Sequence, residues 1–366
     1  MSDILSRVRM YVREKGKPAA DYLAEKFSKH DIVLLGEDHG IRENLRFVAS
    51  LIPKLYHVGV TNLGMEFGSY EDQDELDELV RGDSYSEDTA RKLQFHYNVS
   101  WPFREYQEIY RAAWEFNRTL APGSRKFRVL SLSYCYQWQH FDGCRLPSAA
   151  QRIFCKGPVE KFRADVIKRE VMDKKEKILV LTGTIHAFTR YHYAVYDPLA
   201  FGFCRYIDRD LGHLLYESYG ERTACILLHQ MFGKGVESYT TCADGILEKI
   251  LAEYGGNVGL DIRDSVLGEL ADHSNYSEGY EEFKLRELCD GYIFLKPASR
   301  LHGCTIDEKF IDGHTLEEIA HKYPDPDWHG RPDDRESYWK WAREFVSLKR
   351  YRRGEENGKN RDTQAD

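Results

Sequence analysis

The chain has 366 residues, 42% hydrophobic and 31% charged, with a net charge of -8 at pH 7, a length that suits one α/β domain with insertions and a sizeable core. Phosphates and anionic lipids are bound by basic faces, so this acidic balance argues against a general nucleic-acid or membrane-surface binder. No run reaches the roughly 20 apolar residues of a membrane span, and Met1 to Arg9 lacks the apolar centre of a signal peptide, so the expected location is the cytoplasm.

Residues 1–30 read as a helical lead-in, with Tyr22, Leu23 and Phe27 available to cover a first strand. The α/β core is expected over 31–300. It starts with Asp31-Ile32-Val33-Leu34-Leu35-Gly36-Glu37-Asp38-His39, an apolar run of strand length that stops at a glycine and is followed at once by groups that bind protons or metal. Leu45, Val48, Leu51, Ile52 and Leu55 recur at helical spacing, which predicts an amphipathic helix over 42–56. The next apolar run, from Val60, ends near Glu66. Strand, helix and strand form a βαβ unit, whose strands lie parallel.

Residues from about 69 to 125 read as a helical insertion or cap, with Phe103, Tyr106, Tyr110, Ala113 and Trp114 on one face. A strand is expected at Arg128 to Leu132, followed by an aromatic loop through Tyr134, Tyr136, Trp138 and Phe141 that suits pocket lining and core packing equally. A helix near 158–173 leads into Ile178-Leu179-Val180-Leu181-Thr182-Gly183-Thr184-Ile185-His186, the second strand-Gly-x-x-His pattern. Beyond it come a rim of Tyr191 to Tyr193 and Phe201 to Phe203, a helix around Leu211 to Leu215, and a strand from Thr223 to His229. A helix from Ile246 to Tyr254 is stopped by Gly255-Gly256, and a last strand runs from Asp290 to Leu295. Residues 301–352 read as a C-terminal helical extension in which Thr315 and Glu318 form a capping box and Pro324 ends the helix. The polar tail 353–366 is expected to be disordered.

Ligands in parallel α/β sheets gather at the carboxyl ends of strands, so Glu37, His39, Glu66 and His186 are expected to converge there. If the chain stays extended past Gly36, Glu37 and His39 point to one side and Asp38 to the other. A histidine beside carboxylates suits general-base work. The same four residues suit a divalent ion, zinc, manganese or cobalt, with an open position for water. Taken alone, His39 reads equally as a structural histidine, and His96, His140 and His192 read as structural. The acidic run Glu71 to Glu75 reads as a solvated helix start. Eight cysteines contain no Cys-x-x-Cys pair and read as buried or idle thiols of a reducing compartment. No His-Glu-x-x-His, Gly-x-Ser-x-Gly or Walker pattern occurs.

With Gly36-Glu37-Asp38-His39, Glu66 and Gly183-Thr184-Ile185-His186, the chain resembles the superfamily that joins erythromycin esterases, ChaN-like haem-binding proteins and Tiki/TraB proteins. The resemblance covers about residues 31–296, including Gly212 to Glu217 and Asp290 to Ile293. It implies an α/β fold with a central, mostly parallel β-sheet flanked by helices, and a cleft faced by the motif residues. It also implies water activation by a motif histidine, as in the esterase branch, or metal-dependent peptidase chemistry, as in the Tiki branch. Arg163 stands where similar proteins carry an arginine on the helix before the second motif. It would anchor a substrate anion or a site carboxylate, the other reading being a surface salt bridge. The Glu37-Asp38-His39 spacing, one residue shorter than in esterase relatives, leans toward ChaN and Tiki. The missing export signal and the lack of a matching tyrosine motif set the chain apart from ChaN-like lipoproteins. The expectation is a hydrolase acting on an ester, lactone or amide bond of a small-molecule or peptide substrate. His39, His186, Glu37 and Glu66 would be its catalytic or metal-binding residues, and Arg163 its substrate anchor. The alternative is a non-catalytic protein that binds haem or metal, and a third reading is an interaction module.

Overall fold

The computed structural model describes residues 2–141, 143, 147–196, 204–207, 209–235, 238–323, 332–349 and 351. The expected Phe201 to Phe203 rim, the stop at Pro324 and the tail 353–366 lie outside these residues. The fold class is α/β, a mostly parallel sheet with helices packed on it. Two compact units divide the chain, one of residues 1–39, 182–301 and 348–366, the other of 40–181 and 302–347. Among the described residues, no helix is long and apolar enough to cross a membrane.

In the first unit, Ile32–Glu37 is buried along its whole length, as a strand covered on both faces must be. It pairs in parallel with Thr223–Leu228, which pairs in parallel with Gly291–Phe294. Two antiparallel pieces, Val258–Asp261 and the two-residue Lys17–Pro18, continue the order. Neither is expected from the sequence, because strands so short carry no readable alternation. The lead-in consists of the helices Ser2–Lys15 and Ala19–Lys26. Tyr22, Leu23 and Phe27 are buried as expected, and the Tyr22 hydroxyl donates to Asp261 at 3.0 Å.

In the second unit, Asn62–Ser69 has Arg128–Ser133 on one side and residues 178–181 on the other, all parallel. This strand does not stop at Glu66 but runs to Ser69, and its register against Arg128–Ser133 shifts between Met65 and Ser69. Glu66 therefore sits in an irregular stretch, where a bulge re-aims side chains. The expected helix after His39 is Arg42–His57. Three more, Gln73–Arg81, Glu87–Tyr97 and Arg104–Thr119, follow the strand. Tyr106, Tyr110 and Ala113 are buried, while the half-buried Trp114 donates its indole N–H to the Gly82 carbonyl at 3.0 Å. The Thr315/Glu318 capping box is present at the start of Leu316–His321. A further helix, Arg335–Val346, is capped by Asp334. Its buried Tyr338 joins Phe95, Val99, Phe310, Ile311, Ile319 and Tyr323 in one apolar cluster.

Candidate active site

Glu37 is the last residue of its strand. Its side chain is fully buried, and Oε1 lies 3.3 Å from Nδ1 of His39, whose ring is 25% exposed. The expected sharing of a face by these two residues is thus observed. Asp38 turns elsewhere and accepts from the Tyr351 hydroxyl at 2.5 Å. A buried carboxylate is costly unless it is hydrogen-bonded, and an imidazole Nδ1–H beside it fixes the tautomer that leaves Nε2 as the basic nitrogen. The backbone is held as well: the Thr184 hydroxyl donates to the Glu37 carbonyl at 3.1 Å and accepts from Gln230 Nε2 at 2.7 Å.

The second motif leaves its strand at Gly183 and winds into one helical turn, Thr184–Ala187, where the sequence carries no signal for a helix. His186 lies on this turn, half-buried. The glycines of the two motifs serve each other. A Cβ on Gly36 would stand 3.1 Å from the Ala187 Cβ and 3.3 Å from the Thr184 Cα, so Gly36 admits the turn that carries His186. A Cβ on Gly183 would stand 2.8 Å from both Cε1 and Nε2 of His39 and 3.4 Å from Cδ2 of His186, so both imidazoles flank this one glycine. Glycine lets a neighbour approach the backbone this closely.

A third element braces the turn. The helix Leu211–Tyr219 starts with a capping box in which His213 Nδ1 accepts the Asp210 N–H at 3.2 Å. With Nδ1 as acceptor, Nε2 carries the proton and donates to the Tyr191 carbonyl at 2.7 Å. Both nitrogens are committed to backbone groups, so His213 is a neutral structural bracket. His192 stacks on it with ring centroids 4.8 Å apart, consistent with its expected structural part.

In the second unit, Arg163 is not on the surface. Its side chain is 3% exposed and faces Glu66 at 3.3 Å and Glu160 at 2.8 Å. Its Nε donates to Ser133 Oγ at 3.0 Å, and Ser133 Oγ donates to the Glu66 carbonyl at 2.9 Å. Burial disfavours the guanidinium charge, but Glu66 and Glu160 outweigh it and hold the group well above its ordinary pKa. Tyr97 is buried and Tyr136 half-buried nearby, and burial pushes both phenols up. Ser133 and Tyr97 are not foreseen from the sequence, since no spacing links them to Arg163, whereas Glu160 stands three residues before Arg163 on the helix Val159–Glu170, a spacing that pairs charges on one helix face. The structure therefore brings together Glu37, His39 and His186 in one unit, and Glu66 with Arg163 in the other.

Residues 23–123 match a family model described as haem-binding uptake, Tiki superfamily, ChaN, in keeping with the resemblance carried by the motifs. No curated protein matches in sequence. Among solved structures, a Bacillus cereus protein is similar at a TM-score of 0.50 and 13% identity, covering 83% of this chain and 99% of that one. Erythromycin esterase EreC in its open conformation gives 0.47 at 15% identity, with coverage of 78% and 93%. ChaN of Campylobacter jejuni gives 0.39 at 12% identity, with coverage of 57% and 85%. At 13% identity, the likeness to the Bacillus cereus protein speaks to the fold alone.

Proposed function

We propose that the protein is a hydrolase in which His39, oriented by Glu37, activates water against the carbonyl carbon of an ester, lactone or amide in a small-molecule or peptide substrate. The observation that carries this reading is the 3.3 Å contact between the fully buried Glu37 carboxylate and Nδ1 of a partly exposed His39. With the proton on Nδ1, Nε2 takes a proton from water as the oxygen attacks, and Glu37 stabilises the resulting imidazolium. The same imidazolium then gives its proton to the departing alkoxide or amine. To His186, on the other flank of Gly183, we assign donation to the developing oxyanion or the part of a second base. Glu66 and Arg163 form a buried pair that we assign to holding a carboxylate and a guanidinium in fixed positions.

We extend the proposal to a divalent ion held by His39 and His186. Because Glu37 engages Nδ1 of His39, Nε2 is the nitrogen that would bind, with the carboxylate behind the ring as in many metal-ligating histidines, and His186 would be the second imidazole ligand. A zinc, manganese or cobalt ion there would supply a more acidic water.

Wild-type protein and His39→Gln, Glu37→Gln and His186→Asn variants, with and without chelation and metal resupply, should be assayed against a broad ester, lactone and peptide panel. At least one substrate should be turned over by the wild type and lost in His39→Gln with folding intact; absence of turnover across the panel would remove the proposal.

The family match over residues 23–123 favours a second reading, haem binding. In that reading the His39 nitrogen not engaged by Glu37, Nε2, would be the axial ligand. Titration with haemin should give no stoichiometric Soret band that depends on His39; such a band would replace the hydrolase reading.

A further inference from the structure

We propose that Cys135, His96 and Asp72, in the second unit, form a separate reactive thiol site that exchanges with small disulfides. The three side chains come from three elements: Asp72 from the turn after the Asn62–Ser69 strand, His96 from the helix Glu87–Tyr97, and Cys135 from just beyond the Arg128–Ser133 strand. His96 Nδ1 contacts Asp72 Oδ2 at 2.6 Å. Cys135 Sγ lies 3.7 Å from Nδ1 and 3.9 Å from Nε2 of the same ring. The Asp72 hydrogen bond, followed by that of Cys135, pushes the His96 pKa up to about 10, so the ring is cationic at neutral pH.

The sulfur lines a cavity of about 340 Å³, bordered also by Glu71, Tyr136, Glu318, His321 and Lys322. Cys135 is 6% exposed and His96 half-buried, so the cavity is the route by which a reagent reaches the thiol. Charge around it is mixed. Glu71 is paired with Lys156, and Lys322 Nζ donates to the His96 carbonyl at 2.8 Å. That carbonyl also accepts the thiol at 3.2 Å. The imidazolium over the sulfur supplies the positive charge that a thiolate needs as it forms, the logic of Cys–His nucleophiles.

In the exchange step, the Cys135 proton goes to water and the sulfur attacks one sulfur of the disulfide. A new S–S bond forms as the old one breaks, and the departing thiolate takes a proton from water. Two sulfurs of the reagent start at the disulfide level, and one pair ends there, so no further oxidant is consumed.

The folded full-length protein supplies its own comparators. Cys155 is exposed, whereas Cys225, Cys242 and Cys289 are buried and burial pushes their thiols up. Peptide-resolved labelling by iodoacetamide at pH 7 should modify Cys135 about tenfold faster than Cys155. His96→Gln and Asp72→Asn, each checked for folding by circular dichroism, should bring the rate to that of Cys155 or below. Oxidised glutathione should form a mixed disulfide at Cys135 that dithiothreitol reverses. Labelling of Cys135 no faster than Cys155, a rate unchanged in both variants, or no mixed disulfide would overturn the proposal.

Discussion

The two sets of motif residues differ in how they handle charge. In the second unit, Glu66 meets a guanidinium whose side chain is 3% exposed, and Glu160 and Ser133 complete the arginine's surroundings. In the first, a fully buried carboxylate faces an imidazole that is 25% exposed, with a second imidazole across one glycine. A permanent cation fixes charge in place; an imidazole can gain or lose a proton near neutral pH. Under the proposed function, proton transfer falls to the histidine set and charge fixation to the arginine set.

Three substitutions test that division, and a fourth probes a fixed carboxylate elsewhere. His39→Gln should lower turnover of the best substrate about 10²- to 10⁴-fold, the range of a lost general base, while leaving the urea midpoint near that of the wild type. An equal loss of stability would make His39 a structural residue. Arg163→Met should do the reverse first: removing one partner of a buried pair costs about 3–5 kcal/mol, read as a lower urea midpoint. A midpoint unchanged within error would mean that the pair carries no fixed charge.

Gly183→Ala probes the junction of the two motifs. Its Cβ would stand 2.8 Å from the His39 ring, so the imidazole must move. Overpacking of this kind costs about 1–3 kcal/mol, and activity should fall more than stability. A fully active Gly183→Ala variant would show that the ring does not work from this position.

The smallest effect comes from Glu170, away from both sets. Burial would raise its pKa, but hydrogen bonds from Tyr70, Arg128 and Lys174 bring it down to about 2 from 4.5. The folded-state value is depressed, so the stabilisation is present above about pH 4.5 and is lost as pH falls toward 2. Urea midpoints measured across that window should fall more steeply for the wild type than for Glu170→Gln. Parallel profiles would contradict the assignment.

Much of this is legible in the sequence, for a physical reason. Strands covered on both faces, such as Ile32–Glu37 and Ile178–Gly183, are written as unbroken apolar runs, and the glycine and histidine that follow mark their ends. The face shared by Glu37 and His39 follows from extended geometry alone. What is not legible depends on tertiary placement. Nothing local announces the helical turn Thr184–Ala187, the irregular continuation of the strand through Glu66, or the choice of Ser133 as a partner of Arg163. Nor does the sequence reveal that Gly36 and Gly183 each make room for the other motif, because a close approach is a property of two segments rather than one.

The most direct measurement of the central claim is steady-state hydrolysis by wild-type and His39→Gln protein, prepared identically and shown to be folded, on the most reactive ester or lactone of a broad panel. A histidine base paired with Glu37 predicts clear turnover by the wild type and a fall of at least about 10²-fold in the variant. Equal rates in the two proteins, or no turnover by either, would contradict it.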